Sequence, residues 1–125
     1  MRDHTSLLAW QEAHSVSIGV IALSRHFWKP YAGALFTQLQ RASLSTELNI
    51  AEGYTFGDSP TFTRHLGIAY GSSVETAELL RIGIEADLLP ADLAGPLLNR
   101  SKRASRLLLG LLKRRRRFPT TPVHR

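Results

Sequence analysis

Hydrophobic residues recur along this chain at the spacing of helices, and no stretch alternates in the way that marks a β-strand. In the first segment, about residues 5–28, apolar side chains step by three and four from Ala9 to Phe27. Pro30 is expected to end this helix, because proline disfavours helical geometry in the residue before it. The pattern therefore predicts one long amphipathic helix at the start of the chain.

The next two segments carry local signals at their ends. The second, residues 32–52, has the same apolar spacing, and Gly53 is predicted to cap it in a left-handed conformation. The third opens at Ser59-Pro60, where serine can accept a bond from a free amide and proline tolerates the first helical position. Small residues crowd the stretch 67–73, which predicts a close backbone approach to a neighbouring helix.

A fourth segment covers about residues 90–117. Gly95-Pro96 interrupts it, so a short turn or a kink is expected there. Because the connections are short, the four helices predict an all-α, antiparallel up-down-up-down bundle. We expect the bundle domain to cover residues 1–117, followed by a flexible C-terminal tail at 118–125.

The composition is that of one ordinary globular domain. The chain has 125 residues, of which 43% are hydrophobic and 21% charged, and it has no cysteine. The missing cysteines exclude disulfides, cysteine-ligated zinc and a thiol nucleophile. No apolar run approaches the roughly 20 residues that span a bilayer, and the start lacks the apolar region of a signal peptide. A cytoplasmic protein without a membrane partner is expected.

Charge is distributed unevenly along the chain. Residues 1–99 contain six Lys or Arg and ten Asp or Glu, a net charge of −4. Residues 100–125 contain ten Lys or Arg and no acid, a net charge of +10. Such a basic end indicates an anionic partner, either a nucleic acid or a lipid surface.

Most basic residues of the fourth segment fall on one side of the predicted helix, roughly opposite its leucines. This row is about 26 Å long at 1.5 Å per residue. Arginine forks pair with phosphates bidentately, so the row matches the footprint of a nucleic-acid backbone. The predicted nucleic-acid-binding residues are Arg100, Lys102, Arg103, Arg106, Lys113, Arg114, Arg115, Arg116 and Arg117.

Three other roles for this row stay open. It can be a solvated face whose charge favours the helix dipole. It can pair with acidic residues of the body, such as Glu75 and Glu78, across a subunit boundary. Contact with a membrane surface is less favoured, because the leucine face is needed for the core.

The sequence contains no pattern typical of catalysis. It has no Glu-x-x-His pair, no Gly-x-Ser-x-Gly elbow and no glycine-rich phosphate loop. We therefore expect a non-enzymatic protein without metal or cofactor. A carboxylate or metal site formed by Glu52, Glu75 and Glu78 is the remaining enzymatic alternative. Asn49 and Glu52 are expected instead to hydrogen-bond to a neighbouring helix or to its free terminus.

Several strings of residues together resemble a known family. These are LAWQEAH at 8–14, QLQRAS at 38–43 followed by NIAEG at 49–53, and FTRHLGIAYGSSVETAE at 62–78. They are similar to motifs of the four-helix bundle proteins encoded in 23S ribosomal RNA intervening sequences. The motif residues that we expect to be structural are Trp10, Asn49, Glu52, Gly53, Gly71, Ser72 and Glu75.

The resemblance implies a four-helix bundle that assembles as a ring, a homopentamer. It also implies kinship with the accessory proteins of diversity-generating retroelements, which bind nucleic acid and a reverse transcriptase through a basic ring surface. This chain departs from the family pattern at Glu47, where the family usually has proline. It departs again at residues 54–58, which carry no positive charge where the family often has basic residues.

Two functional hypotheses follow. The leading one is an oligomeric helical bundle that binds RNA or DNA through phosphate contacts from its basic last helix. The alternative is a protein scaffold or adaptor, such as a partner of a reverse transcriptase.

Overall fold

The fold consists of four α-helices, as the hydrophobic spacing predicted. The computed structural model describes residues 3–117, with side chains for residues 3–115, and this part contains no strand. Two short 3-10 turns, His4–Ser6 and Pro30–Ala32, precede the first and second helices. The α-helices are α1 (Leu8–Phe27), α2 (Gly33–Tyr54), α3 (Pro60–Glu85) and α4 (Ala91–Arg117). The predicted tail at 118–125 lies outside the described residues.

The end of α1 and the start of α3 form where the sequence predicted them. The last residue of α1 is Phe27, two residues before the Lys29-Pro30 pair. At the start of α3, the Ser59 hydroxyl accepts a hydrogen bond from the amide of Phe62 at 3.2 Å, and Pro60 occupies the first turn. Both helix ends are determined by residues that are close in the sequence, so both could be predicted from it.

The prediction that Gly53 caps α2 is wrong. Gly53 lies inside the helix, and the positive φ of 66° belongs to Gly57 in the following loop. Gly53 is buried, and a Cβ built on it would lie 2.6 Å from the Cβ of His65. The glycine thus serves the close approach of α2 and α3 rather than the end of a helix.

A short turn or a kink was expected at Gly95-Pro96, and the short turn does not form, because α4 continues through Pro96. A proline in a helix removes the one bond that its amide would donate to the carbonyl four residues earlier, here that of Asp92. Pro96 lies in the second turn of a helix of 27 residues. The rest of the helix, which is packed against two neighbours, retains its hydrogen bonds.

The helices form a four-helix bundle in which each helix packs against two others. The contacting pairs are α1 with α2, α2 with α3, α3 with α4, and α4 with α1. The buried apolar side chains form two separate clusters. One includes Val20, Phe36 and Leu80, and the other includes Leu66 and Leu108.

Buried hydroxyl side chains from all four helices lie between the two apolar clusters. This hydroxyl belt consists of Ser17, Ser43, Thr46, Ser73, Thr76 and Ser101. Ser17 donates to the carbonyl of Ser43 at 3.2 Å, and Ser101 donates to the carbonyl of Ser73 at 2.9 Å. Within the described part of the chain, every buried side-chain nitrogen or oxygen has a hydrogen-bond partner. The belt therefore joins the helices without leaving an unsatisfied polar group.

The small residues of α3 contribute unequally to the approach of its neighbours. Gly67 and Gly71 are exposed, and a Cβ on either would meet nothing within 4 Å. The predicted close approach is therefore wrong for these two glycines. The serines do make interhelix contacts: the hydroxyls of Ser72 and Ser45 lie 2.7 Å apart. Close packing of α3 thus depends on its hydrogen-bonded serines and on Gly53 of α2.

Candidate nucleic-acid interface

The basic residues of α4 have different surroundings, although the sequence pattern predicted a single basic row. Six of those with described side chains are exposed, and Arg115 is half-buried. The side chains of Arg116 and Arg117 lie outside the described part. The exposed residues are Arg100, Lys102, Arg103, Arg106, Lys113 and Arg114.

Two of the exposed arginines are paired with α1. Arg100 and Arg103 place nitrogen atoms 3.2 Å and 3.5 Å from the two carboxylate oxygens of Glu12. The Glu12 side chain is only 14% exposed, whereas the arginines are about half exposed. One carboxylate cannot neutralise two guanidinium groups, so this pair of arginines retains a net positive charge.

Arg115 is held in place by the loop before α3 and the first turn of that helix. Its guanidinium donates to the hydroxyl of Thr63 at 2.5 Å and to the carbonyl of Ser59 at 2.9 Å. A third nitrogen lies 2.8 Å from a carboxylate oxygen of Asp58, and the group stacks over the Phe62 ring at 4.9 Å. We call this arrangement the Arg115 clamp. It attaches the end of α4 to the start of α3 and engages all three nitrogens of the guanidinium.

Four basic residues form what we call the basic surface: Lys102, Arg106, Lys113 and Arg114. Among residues 3–115, none of them has a carboxylate within 4.0 Å. Arg106 borders two clefts, one against the start of α1 and one against α3. These four side chains therefore present positive charge to solvent along the outer side of α4.

The acidic residues proposed as an alternative metal site do not come together. Glu52, Glu75 and Glu78 are all exposed, and Glu78 pairs with Arg81 on its own helix at 3.7 Å. Across residues 3–117, no group of three acidic or histidine side chains is arranged to hold a metal ion.

Asn49, a residue of the family motif, connects α2 to α3. Its side-chain amide donates to the carbonyl of Ser45 at 2.9 Å, and its oxygen accepts from Nδ1 of His65 at 2.9 Å. His65 is buried and stacks on Phe56 with ring centroids 5.7 Å apart. Glu52 is exposed and forms no side-chain hydrogen bond with another described residue, so the expected contact was wrong for Glu52.

Trp10, another motif residue, packs against the apolar cluster that contains Leu66 and Leu108. Its ring stacks on His14 with centroids 4.6 Å apart. Nδ1 of His14 lies 2.8 Å from a carboxylate oxygen of Glu47. The glutamate that departs from the family pattern therefore joins α2 to α1.

None of the helices in the described range is long and apolar enough to cross a membrane. The family model described as 23S rRNA-intervening sequence protein matches residues 5–110. The fold is similar to the crystal structure of a protein of unknown function, of the S23 ribosomal protein family, from Bacteroides thetaiotaomicron. The two chains are 19% identical, with a TM-score of 0.61, over 82% of this chain and 98% of the other. No curated protein matches the sequence.

Proposed function

The chain belongs to the 23S rRNA-intervening sequence protein family, and on this premise we propose that it binds RNA or DNA without catalysing a reaction. The observation that supports this function is the basic surface of Lys102, Arg106, Lys113 and Arg114. These cations are exposed and have no carboxylate partner among the described residues. A nucleic-acid backbone offers the anionic partners that they lack.

Binding through these side chains is electrostatic and weakly selective for sequence. Phosphate contacts fix the position of a nucleic acid but do not distinguish its bases. Arg100 and Arg103 extend the positive region, since Glu12 neutralises only one of the two charges. Arg115 is not assigned this role, because each of its three nitrogens is engaged in the clamp and its side chain is only 15% exposed.

We further propose that the helices run antiparallel and that the bundle assembles as a homopentameric ring. The antiparallel order is supported by the contacts of α1 with α2, where His14 meets Glu47 and Ser17 meets Ser43. Association is supported by exposed apolar side chains of α1 and α2, because such surface often marks an interface. These side chains are Ile18, Ile21, Leu44 and Leu48. Five copies of the 13.9 kDa chain amount to about 70 kDa, which light scattering measures directly.

The proposed function is tested by fluorescence anisotropy with short single-stranded RNA and duplex DNA at several salt concentrations. The variant replaces all four residues of the basic surface by glutamine. For a B-DNA duplex each phosphate contact contributes about 0.9 to the slope of log affinity against log salt. Four contacts account for a slope of about 3.6, which is about 150-fold in affinity between 50 and 200 mM salt.

The matched control replaces Arg25, Lys29, Arg41 and Arg64 by glutamine. These residues are also exposed and without an ion pair in the described part, and their replacement removes the same formal charge from other surfaces. We expect the α4 variant to lose affinity and salt dependence, and the control to lose little of either. Equal losses in the two variants would refute a site on α4, and no binding at low salt would refute the function.

The second candidate function is a scaffold or adaptor for another protein, such as a reverse transcriptase. The exposed apolar side chains of α1 and α2 favour it, because a partner protein could cover them. If this surface binds a partner protein and not a second copy of the chain, replacing Ile18 and Leu48 by serine should abolish partner capture while the subunit number and the nucleic-acid affinity are retained. Capture that survives these substitutions would refute this site.

A further inference from the structure

A cleft of about 380 Å³ lies between the start of α1 and the last turns of α4. One wall comes from the residues around the first turn of α1 and the other from α4. Its lining residues are Ser6, Leu7, Leu8, Ala9, Arg106, Leu107, Gly110, Leu111 and Arg114. We call it the Gly110 cleft. Its volume lies at the lower end of the range for small-ligand sites, and no carboxylate lines it.

Gly110 opens this cleft. It lies four residues after Arg106 and four before Arg114, so the three positions share one helix face. Its backbone is helical without a positive φ, and a Cβ on it would meet nothing within 4 Å. Neither backbone conformation nor packing within the chain requires glycine here, although glycine is less favourable than alanine in a helix by about 1 kcal/mol. Gly67 and Gly71 are equally open, but only Gly110 lines a cleft with an arginine on either side.

The cleft combines an apolar floor with cationic rims. Leu7, Leu107 and Leu111 are half-buried and pack against the apolar cluster below. Arg106 and Arg114, about 12 Å apart along the helix at 1.5 Å per residue, have no carboxylate partner among the described residues. A flat apolar group with an anion on each side is complementary to this arrangement. A nucleotide within a single strand has this form, because its base stands between two phosphates.

We propose that the Gly110 cleft receives one unstacked base of a single-stranded nucleic acid, while Arg106 and Arg114 hold the phosphates on either side. The proposal rests on the phosphate-binding function proposed above, and it adds a preference for single strands over duplexes. A duplex keeps its bases stacked and paired, so it can reach the arginines but not the floor between them. Every base has an apolar face, so the cleft needs no particular sequence.

The test fills the cleft without removing charge. Gly110→Leu places a side chain in the open space between the arginines, and leucine is the better helix former, so the fold is retained. Gly67→Leu makes the same exchange at an open, exposed position of α3 and serves as the matched control. Anisotropy is measured for a labelled single strand, for the same strand in a duplex, and for a strand with abasic sites.

We expect Gly110→Leu to weaken single-strand binding by about 5- to 20-fold, the effect of losing the apolar contact between one base and the leucines of the floor. Duplex affinity should not change, and Gly67→Leu should change neither affinity. The abasic strand should bind the unsubstituted protein about as weakly as the normal strand binds Gly110→Leu.

Other outcomes overturn the proposal in distinguishable ways. If the protein binds nucleic acid but Gly110→Leu affects neither probe, or both equally, the base site is wrong and phosphate binding still stands. If the unsubstituted protein binds neither probe at low salt, both proposals are wrong. A free nucleoside monophosphate that competes as strongly as the strand would assign the cleft to a small ligand instead.

Discussion

Arg114 and Arg115 are neighbours in the sequence, and the structure predicts opposite effects when each is replaced by glutamine. Arg115→Gln breaks the clamp that attaches the end of α4 to the start of α3. Arg114 is exposed and belongs to the basic surface, so Arg114→Gln removes a charge but no contact within the described residues. The first substitution should destabilise the fold, and the second should weaken nucleic-acid binding.

The contacts of Arg115 determine the size of the stability loss. Its side chain is 15% exposed, and a hydrogen bond from a charged donor contributes about 1.5–3 kcal/mol. The ion pair with Asp58 adds little, because that carboxylate is 62% exposed and exposed pairs contribute about 0–1 kcal/mol. The contact with the Phe62 ring contributes about 0.5–1 kcal/mol. Since such terms are not additive, we expect a total loss of about 2–3 kcal/mol.

Urea denaturation followed by helical circular dichroism measures this loss. Protein concentration must be fixed, because association would link stability to concentration. Arg115→Lys separates charge from geometry: lysine keeps the charge but not the planar fork, so most of the loss should remain. The reasoning is refuted if Arg115→Gln is no less stable than Arg114→Gln, or if the two variants lose nucleic-acid affinity equally.

Three further predictions concern other parts of the bundle. Gly53→Ala should lower the free energy of unfolding by about 1–3 kcal/mol, because the alanine Cβ would lie 2.6 Å from the Cβ of His65. A denaturation experiment that shows no loss would contradict this close packing. Glu12→Gln releases the two arginines that it pairs with, so duplex affinity should rise and the salt slope should steepen by up to about 0.9 per added phosphate contact. The pKa of Asp3 is lowered because the Thr5 hydroxyl and amide donate to its carboxylate. The stabilisation from this cap is therefore present above the ordinary Asp pKa and lost as pH falls through the lowered pKa of Asp3. An NMR titration measures this pKa, and Asp3→Asn is the variant that lacks the carboxylate.

The sequence predicted features that depend on nearby residues. The four helices follow from apolar spacing, and the start of α3 follows from Ser59 and Pro60, whose effect acts within one turn. Gly53 was misassigned because a glycine near the end of a helical pattern is compatible with a cap and with close packing. Only the position of His65, twelve residues away in the chain, distinguishes the two.

In the candidate site, too, the sequence predicted what depends on nearby residues and missed what depends on distant ones. The charge of the last segment and its single face could be read from the sequence, because both depend only on residue type and helical period. The separate role of Arg115 could not, since its partners lie more than fifty residues earlier in the chain. The cleft at Gly110 could not be found either, because one wall belongs to α1. Glycine between two arginines at four-residue spacing was the only signal in the sequence.

The hydroxyl belt divides the interior into two halves that need not open together. Cooperative unfolding is transmitted by contiguous apolar packing, and here the belt interrupts that packing. Amide hydrogen exchange should therefore report two opening free energies, one for each apolar cluster. The half containing Leu66 and Leu108 also carries Arg115 and the Gly110 cleft, so a ligand bound there should slow exchange in that half first.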